Sequence, residues 1–187
     1  MIVSSLPIDG ALTVTLQVFG DTRGTFQETW RAQEYAAVGI AGPFLQDNRS
    51  TSSQKVLRGL HYQIGSPQGH LVTVASGSVY DVGLDLRPDA PTFGRWAAVI
   101  LGKDGPHQVY WPAGIAHGYC VLGDHCELLY KCTDVYVPGD EGGVLWCDPD
   151  LAIDWPLADP VINQRDAGFP RLKDIPRERL PHARTQR

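Results

Sequence analysis

From residue 12 to residue 19 apolar and polar side chains alternate, Leu12-Thr13-Val14-Thr15-Leu16-Gln17-Val18 before Phe19. A period of two belongs to a strand with one buried face, so the segment predicts a β-strand. Asp21-Thr22-Arg23-Gly24 then turns the chain. Short apolar runs recur at residues 71–75, 79–86, 96–101, 107–111, 117–122 and 127–137, separated by turns containing Gly, Pro or Asp, and they read as successive strands. Another strand is predicted at 44–50, where alternate polar residues of Phe44-Leu45-Gln46-Asp47-Asn48-Arg49-Ser50 face a prospective ligand. Helical signals are confined to residues 33–38, stopped by Gly39, and to a short segment near Gln164. No sequence repeat is found. Many short strands with regular turn spacing predict an all-β sandwich or barrel of jelly-roll type.

Composition narrows this picture. At 187 residues and 43% hydrophobic content, the chain can bury one substantial core and is short for two. A single domain over 1–187 is expected, with a C-terminal tail from about residue 156, beyond Asp154-Trp155-Pro156. Residues 181–187 are polar and expected to be mobile. The net charge of -5 and the lack of any Lys/Arg block give no support for nucleic-acid or anionic-membrane binding. The longest apolar stretches, such as residues 96–102, fall far below a membrane span, and the first residues lack a basic region leading into an apolar core. A cytoplasmic protein is expected. Cys120, Cys126, Cys132 and Cys147 have no Cys-x-x-Cys spacing, and buried free thiols are the expectation.

Candidate chemistry concentrates in Arg58-Gly59-Leu60-His61-Tyr62-Gln63. Histidine titrates near neutral pH and can take a proton from carbon and release it, while the planar arginine fork suits phosphate. A histidine between Leu60 and Tyr62 is equally compatible with a hydrogen-bonded core residue, so the hexapeptide needs its context.

That context is ordered. Arg23-Gly24-Thr25-Phe26-Gln27-Glu28, Gln46-Asp47-Asn48, the hexapeptide, Trp111-Pro112-Ala113-Gly114-Ile115-Ala116-His117-Gly118 and Tyr130-Lys131-Cys132-Thr133-Asp134-Val135-Tyr136 together resemble the dTDP-4-dehydrorhamnose 3,5-epimerase family. The resemblance runs from about Phe19 to Asp166, and Asp85-Leu86-Arg87, Pro91-Thr92-Phe93-Gly94 and Asp148-Pro149 with Trp155-Pro156 extend it. It implies a cupin-like β-jelly roll with short peripheral helices, a homodimer, and action on a nucleotide-diphosphate 4-keto-6-deoxy sugar, dTDP-linked, without metal or organic cofactor.

By the same resemblance His61 is the base, Asp166 the carboxylate behind it and Tyr130 the acid on the opposite ring face. A phenol stays protonated at neutral pH and can still donate to a carbanion. If residues 127–137 form one strand, Tyr130 and Tyr136 share a parity and a face; two amphipathic core tyrosines would show the same pattern. Arg23 and Arg58 match phosphate-holding positions, and Glu28, Gln46 and Asn48 match positions at the nucleotide end. Phe26, Gln63, Tyr136, Glu141 and Arg165 carry over as substrate-binding positions, and His117 as a residue near the sugar. A metal reading of His61 and His117 meets an incomplete ligand set, because Gln63 stands where metal cupins have the second histidine of a His-x-His pair.

Two departures stand out. Where many members have lysine, this chain has His70 before Leu71-Val72. One lost oxyanion donor is worth about 3 to 4 kcal/mol, so either protonated His70 stabilises the enolate in place of the ammonium, which is the expectation, or the enzyme acts on a different substrate or epimerises fewer centres. Asn163-Gln164-Arg165-Asp166 also replaces a Ser-x-Lys-Asp-like segment.

Overall fold

Two long antiparallel strands form the spine of the structure, a computed structural model that describes residues 1–102 and 105–181. Strand β7 (His70–Asp85) and strand β10 (Ile115–Cys132) pair from His70 with Cys132 at one end to Asp85 with Ile115 at the other. Their halves carry different neighbours. The first half of β7 pairs with β9 (Gln108–Trp111) and the second with β8 (Trp96–Gly102). The first half of β10 pairs with β6 (Leu57–Gln63) and the second with β5 (Gln46–Ser53). Strands β1 (Ile2–Ser5) and β2 (Leu12–Thr15) extend the β9 side, and β11 (Glu141–Gly143) extends the β6 side. The two halves form the facing layers of a jelly roll, as the strand pattern predicts.

The bend between layers explains why four predicted strands are two. Residues 71–75 and 79–86 merge into β7, because Gly77 at φ +83° lets the strand turn where a Cβ would meet the His125 carbonyl oxygen. Residues 117–122 and 127–132 merge into β10 through register shifts after Val121 and Glu127. Strand β10 stops at Cys132, so residues 133–137 are irregular and the shared-strand argument for Tyr130 and Tyr136 fails.

The predicted strand at 12–19 is also divided. Val14 pairs with Gln108, the first residue of β9, and the Leu16 N–H then donates to His107 Nδ1 at 3.1 Å. With no ladder left, the chain leaves the sheet. Strand β3 (Val18–Asp21) pairs only with β4 (Gly24–Gln27), in a detached hairpin that exposes Phe19 at 54% and Phe26 at 68%. Helix α1 (Ala32–Ala37) follows; its Tyr35 packs with Val14, Leu16, Ile40, Leu71 and Tyr110.

Between the layers Val72, Val79, Leu101, Val109, Trp111, Tyr119 and Leu128 build the inner core. The tail is better anchored than composition suggests. Val161 bridges Val56, helix α2 (Gln164–Ala167) follows, and Leu172, Ile175 and Leu180 pack onto the Leu60, Val82 and Leu84 face. Pro181 is buried; the remainder of the segment expected to be mobile lies outside the described residues. Three cysteines are buried free thiols, whereas Cys147 is exposed because it sits in a surface turn. Among the described residues no helix is long and apolar enough to cross a membrane.

Strand β6 went unrecognised as a strand because its buried residues fall on consecutive positions, covered on both faces. Its approach to β10 requires glycine. At Gly59, φ is +118° and a Cβ would lie 2.6 Å from Gly118 Cα and 2.7 Å from the His117 carbonyl oxygen. Backbone lies on the crowded side, so no side chain can yield. Gly59→Ala should destabilise the fold by about 2 to 4 kcal/mol, read as a lower urea midpoint with an unchanged slope.

Candidate active site

The β6–β10 approach sets two imidazoles side by side, since His61 and His117 are cross-strand partners. Each is backed by a fully buried carboxylate. His61 Nε2 lies 2.9 Å from Asp166 Oδ2, which also accepts the Gly59 N–H at 3.0 Å. Asp166 comes from the tail: Asn163 caps α2 by accepting the Asp166 N–H at 2.7 Å, and this turn directs the carboxylate into the sheet. Burial alone would raise the Asp166 pKa, but hydrogen bonds from His61, Gly59 and Arg165 together with the His61 charge outweigh it and hold it at about 2. An ionised Asp166 accepts Nε2–H and leaves His61 Nδ1 as the nitrogen able to take a proton.

His117 Nε2 lies 2.9 Å from Asp81 Oδ2, and Asp81 Oδ1 accepts from Trp111 Nε1 at 2.7 Å. Asp81 was missed in the sequence. Its signal was a lone carboxylate inside the apolar run Val79-Tyr80-Asp81-Val82, a residue that must be paired to be tolerated there.

A cavity of about 430 Å³ opens between the layers, lined by residues that include Arg58, His61, His70, His117, Tyr130 and Arg165. His61 and Tyr130 therefore share one chamber, as the proton-relay reading requires. Burial pushes the Tyr130 phenol above its ordinary range, which keeps it protonated. Tyr136 also lines the cavity, although from a loop; its N–H donates to Gln46 Oε1 at 2.8 Å and its hydroxyl to Glu141 Oε2 at 3.2 Å.

Gln46 and Asn48 line the same chamber from β5, with Gln46 Nε2 donating to Asn48 Oδ1 at 3.0 Å. Arg58 is exposed; its Nε donates to Ser52 Oγ at 3.0 Å, and Ser52 and Ser50 bond the Tyr119 hydroxyl at 3.1 and 3.2 Å. Ser50 lines the chamber with Gln46 and Asn48, as the alternation of residues 44–50 predicts, whereas Gln68 and Tyr119 are lining residues that sequence reading did not single out. Gln63 is buried and braces the backbone: its Nε2 donates to the Ser66 and Val135 carbonyls, and its Oε1 accepts the Val137 N–H at 2.7 Å. It shapes the Tyr136 loop and does not line the main chamber.

Arg23, Phe26 and Glu28 stand apart from the chamber. Arg23 pairs with Asp21 in the exposed hairpin, and Glu28 accepts from Arg31 Nη2 at 2.6 Å. Among the described residues no group of three His, Cys, Asp or Glu side chains is arranged to hold a metal ion.

His70 requires a correction. Burial, followed by the neighbouring His117 and His61 imidazoles, pushes its pKa down to about 3. It is neutral at physiological pH, not the protonated lysine substitute expected from sequence. Its Nδ1 is buried without a partner, and an orphan acceptor is tolerated better than an orphan N–H. The proton is therefore assigned to Nε2, and His70 lines the cavity.

Comparison with known proteins agrees with this geometry. The family model described as dTDP-4-dehydrorhamnose 3,5-epimerase matches residues 5–174. A dTDP-4-dehydrorhamnose 3,5-epimerase from Pseudomonas aeruginosa is 44% identical over 168 residues, 89% of this chain and 93% of that one. A crystal structure of dTDP-6-deoxy-D-glucose-3,5-epimerase from Legionella pneumophila, in complex with dTDP-4-keto-L-rhamnose, is 42% identical with a TM-score of 0.92, covering 97% of this chain and 98% of that one. A 3'-monoepimerase from Streptomyces bikiniensis, in complex with dTDP-quinovose, is 34% identical with a TM-score of 0.83, covering 90% and 86%. With nearly its whole length matched and a carboxylate-backed histidine lining one chamber with a tyrosine, this chain belongs to the dTDP-4-dehydrorhamnose 3,5-epimerase family.

Proposed function

We propose that this protein epimerises C3 and C5 of dTDP-4-dehydro-6-deoxy-D-glucose without a cofactor, giving dTDP-4-dehydro-L-rhamnose. The observation that carries this reading is the meeting of His61, backed by Asp166, and the protonated phenol of Tyr130 on one cavity. A hydrogen on carbon beside a ketone is acidic because the carbanion delocalises onto oxygen. His61 Nδ1 removes that hydrogen, and Asp166 supports the imidazolium that forms. Neutral His70 donates from Nε2 to the enolate oxygen. Tyr130 returns a proton to the opposite face, inverting the centre. His117, held by Asp81, orients the sugar, with Gln46 and Asn48 at the nucleotide end and Arg58 at the diphosphate.

Arg23, Phe26 and Glu28 reach a ligand only if a second copy supplies them. The detached hairpin, with Phe19 and Phe26 exposed, supports a homodimer in which this apolar surface is covered. The four free thiols suit a cytoplasmic setting. Epimerisation of a single centre is the second reading. It is favoured by His70, which supplies a neutral hydrogen bond where a fixed cation is usual, and by likeness to a 3'-monoepimerase.

In deuterated water, His61→Ala should abolish deuterium incorporation into the keto-sugar while nucleotide binding persists. Tyr130→Phe should keep exchange but slow net inversion by about 10²- to 10⁴-fold. Wild-type exchange in the His61 variant would remove it from the base role. Counting deuterium in the wild-type product separates the readings: two exchanged centres support double epimerisation, one the alternative.

The neutral state of His70 has its own signature. Its folded pKa, about 3, lies below the ordinary 6.5, so the unfolded chain takes up a proton that the folded chain refuses. Full stability holds above about pH 6.5 and is lost as the pH falls from there toward 3. His70→Gln should therefore lose less stability than the parent between pH 7 and pH 4, measured by chemical denaturation at each pH.

A further inference from the structure

Arg165 belongs to the one tail segment that departs from the family pattern, and each of its three side-chain nitrogens is engaged within the protein. Nε donates to Asp166 Oδ1 at 3.1 Å, Nη1 to Glu141 Oε2 at 2.9 Å, and Nη2 lies 3.1 Å from His61 Nε2. The guanidinium carbon lies 5.8 Å from the centre of the Phe169 ring, and that ring meets His61 edge-on at 5.7 Å. Glu141 neutralises the guanidinium and also accepts from the Tyr136 hydroxyl. An arginine with this many internal ties is placed to act on the histidine.

The contact at His61 Nε2 is the informative one. That nitrogen faces two groups with opposite demands: Asp166 accepts a hydrogen from it, whereas an arginine N–H would donate to its lone pair. When Nδ1 takes up a proton, Nε2 must carry a hydrogen and point it at Asp166. Arg165 is then a cation about one hydrogen-bond length from a second cation. Asp166 favours the imidazolium and Arg165 opposes it.

We propose that Arg165 is a positioning residue whose guanidinium, held by Asp166 and Glu141 against His61, offsets the carboxylate and sets the lower pH limit of proton abstraction. This rests on the assignment of His61 as the base. Other titratable or charged groups share the chamber with this imidazole: Glu141 on β11, His117 and Tyr130 on β10, His70 on β7, Arg58 on its own strand and Tyr136 on the loop. Of these, Glu141 contacts Arg165 directly, so its removal weakens the neutralisation of the guanidinium without touching Asp166.

The test is the pH profile of kcat/KM, whose acid limb reports the base of the free enzyme, for the full chain with dTDP-4-dehydro-6-deoxy-D-glucose. Arg165→Gln removes the opposing charge and should move the acid limb to higher pH by about half to one unit, a modest shift for a half-exposed cation. Arg165→Lys keeps the charge and should restore the limb toward the parent. Glu141→Gln removes one of the two carboxylates paired with the guanidinium and should move the limb to lower pH. A uniform loss of kcat/KM, or a raised KM with the limb fixed, in Arg165→Gln would overturn the proposal and return Arg165 to substrate binding. If that variant does not fold, Glu141→Gln decides, and a limb at or above the parent's sinks the idea. Deuterium exchange in His61→Ala separates the two levels. Exchange that survives there removes the base assignment, while exchange lost there with an unmoved Arg165→Gln limb removes only the role of Arg165.

Discussion

A single buried carboxylate joins tail, sheet and chemistry in this protein. Asp166 is fully shielded from solvent, a position that an unpaired charge cannot hold. It is held there by the Gly59 N–H, His61 and Arg165. The first two contacts dock helix α2 on strand β6, and the second fixes the orientation of the His61 ring. Tail docking and base orientation are therefore one interaction. Because the folded pKa of Asp166, about 2, lies below its ordinary 3.8, this group adds stability above about pH 4 and loses it as the pH falls toward 2.

Most of the chamber is built on strands, which suits chemistry that needs two faces of one sugar ring held at fixed distance. His61 and His117 are registered across β6 and β10, Tyr130 and Asn48 across β10 and β5, and His70 and Cys132 across β7 and β10. Both long strands cross from one layer to the other, so the relative placement of base and acid is set by a bend in a single strand, β10. The detached hairpin does not belong to this frame. Its separation follows from the end of the β9 ladder at Gln108.

Much of this was legible in the residues. Alternation and turn spacing gave the all-β class, and the ordered motifs singled out His61, Tyr130 and Asp166, which the fold brings to one chamber and its edge. What was not legible depended on tertiary context. Gly77 looks like a turn that ends a strand, but packing against His125 makes it a bend within one. Strand β6 lacks alternation because both faces are covered. The charge of His70 is not visible in the sequence, because it is set first by burial and then by the two imidazoles that share its chamber. Asp81 was hidden for the converse reason: its partners, Trp111 and His117, lie 30 and 36 positions away.

The neutral His70 also changes how the charge of the reaction is balanced on the proposed assignment. With lysine at this position an enolate would form beside a permanent cation. Here the nearest new positive charge is the imidazolium that His61 becomes when it takes the proton, so enolate and counter-cation arise together as a pair in a partly desolvated chamber. Such a pair needs no resident charge to be formed, but it gains more from each ångström of proximity as the local dielectric falls. Proton return to the wrong face is then favoured by that same attraction, because the proton sits on the cation nearest the enolate. Net inversion accordingly depends on Tyr130 delivering its proton before His61 gives its own back, and a phenol whose burial raises its pKa is a slower donor than one in water. The His70 substitution thus bears on the partition between exchange and inversion more than on whether the carbon acid ionises at all.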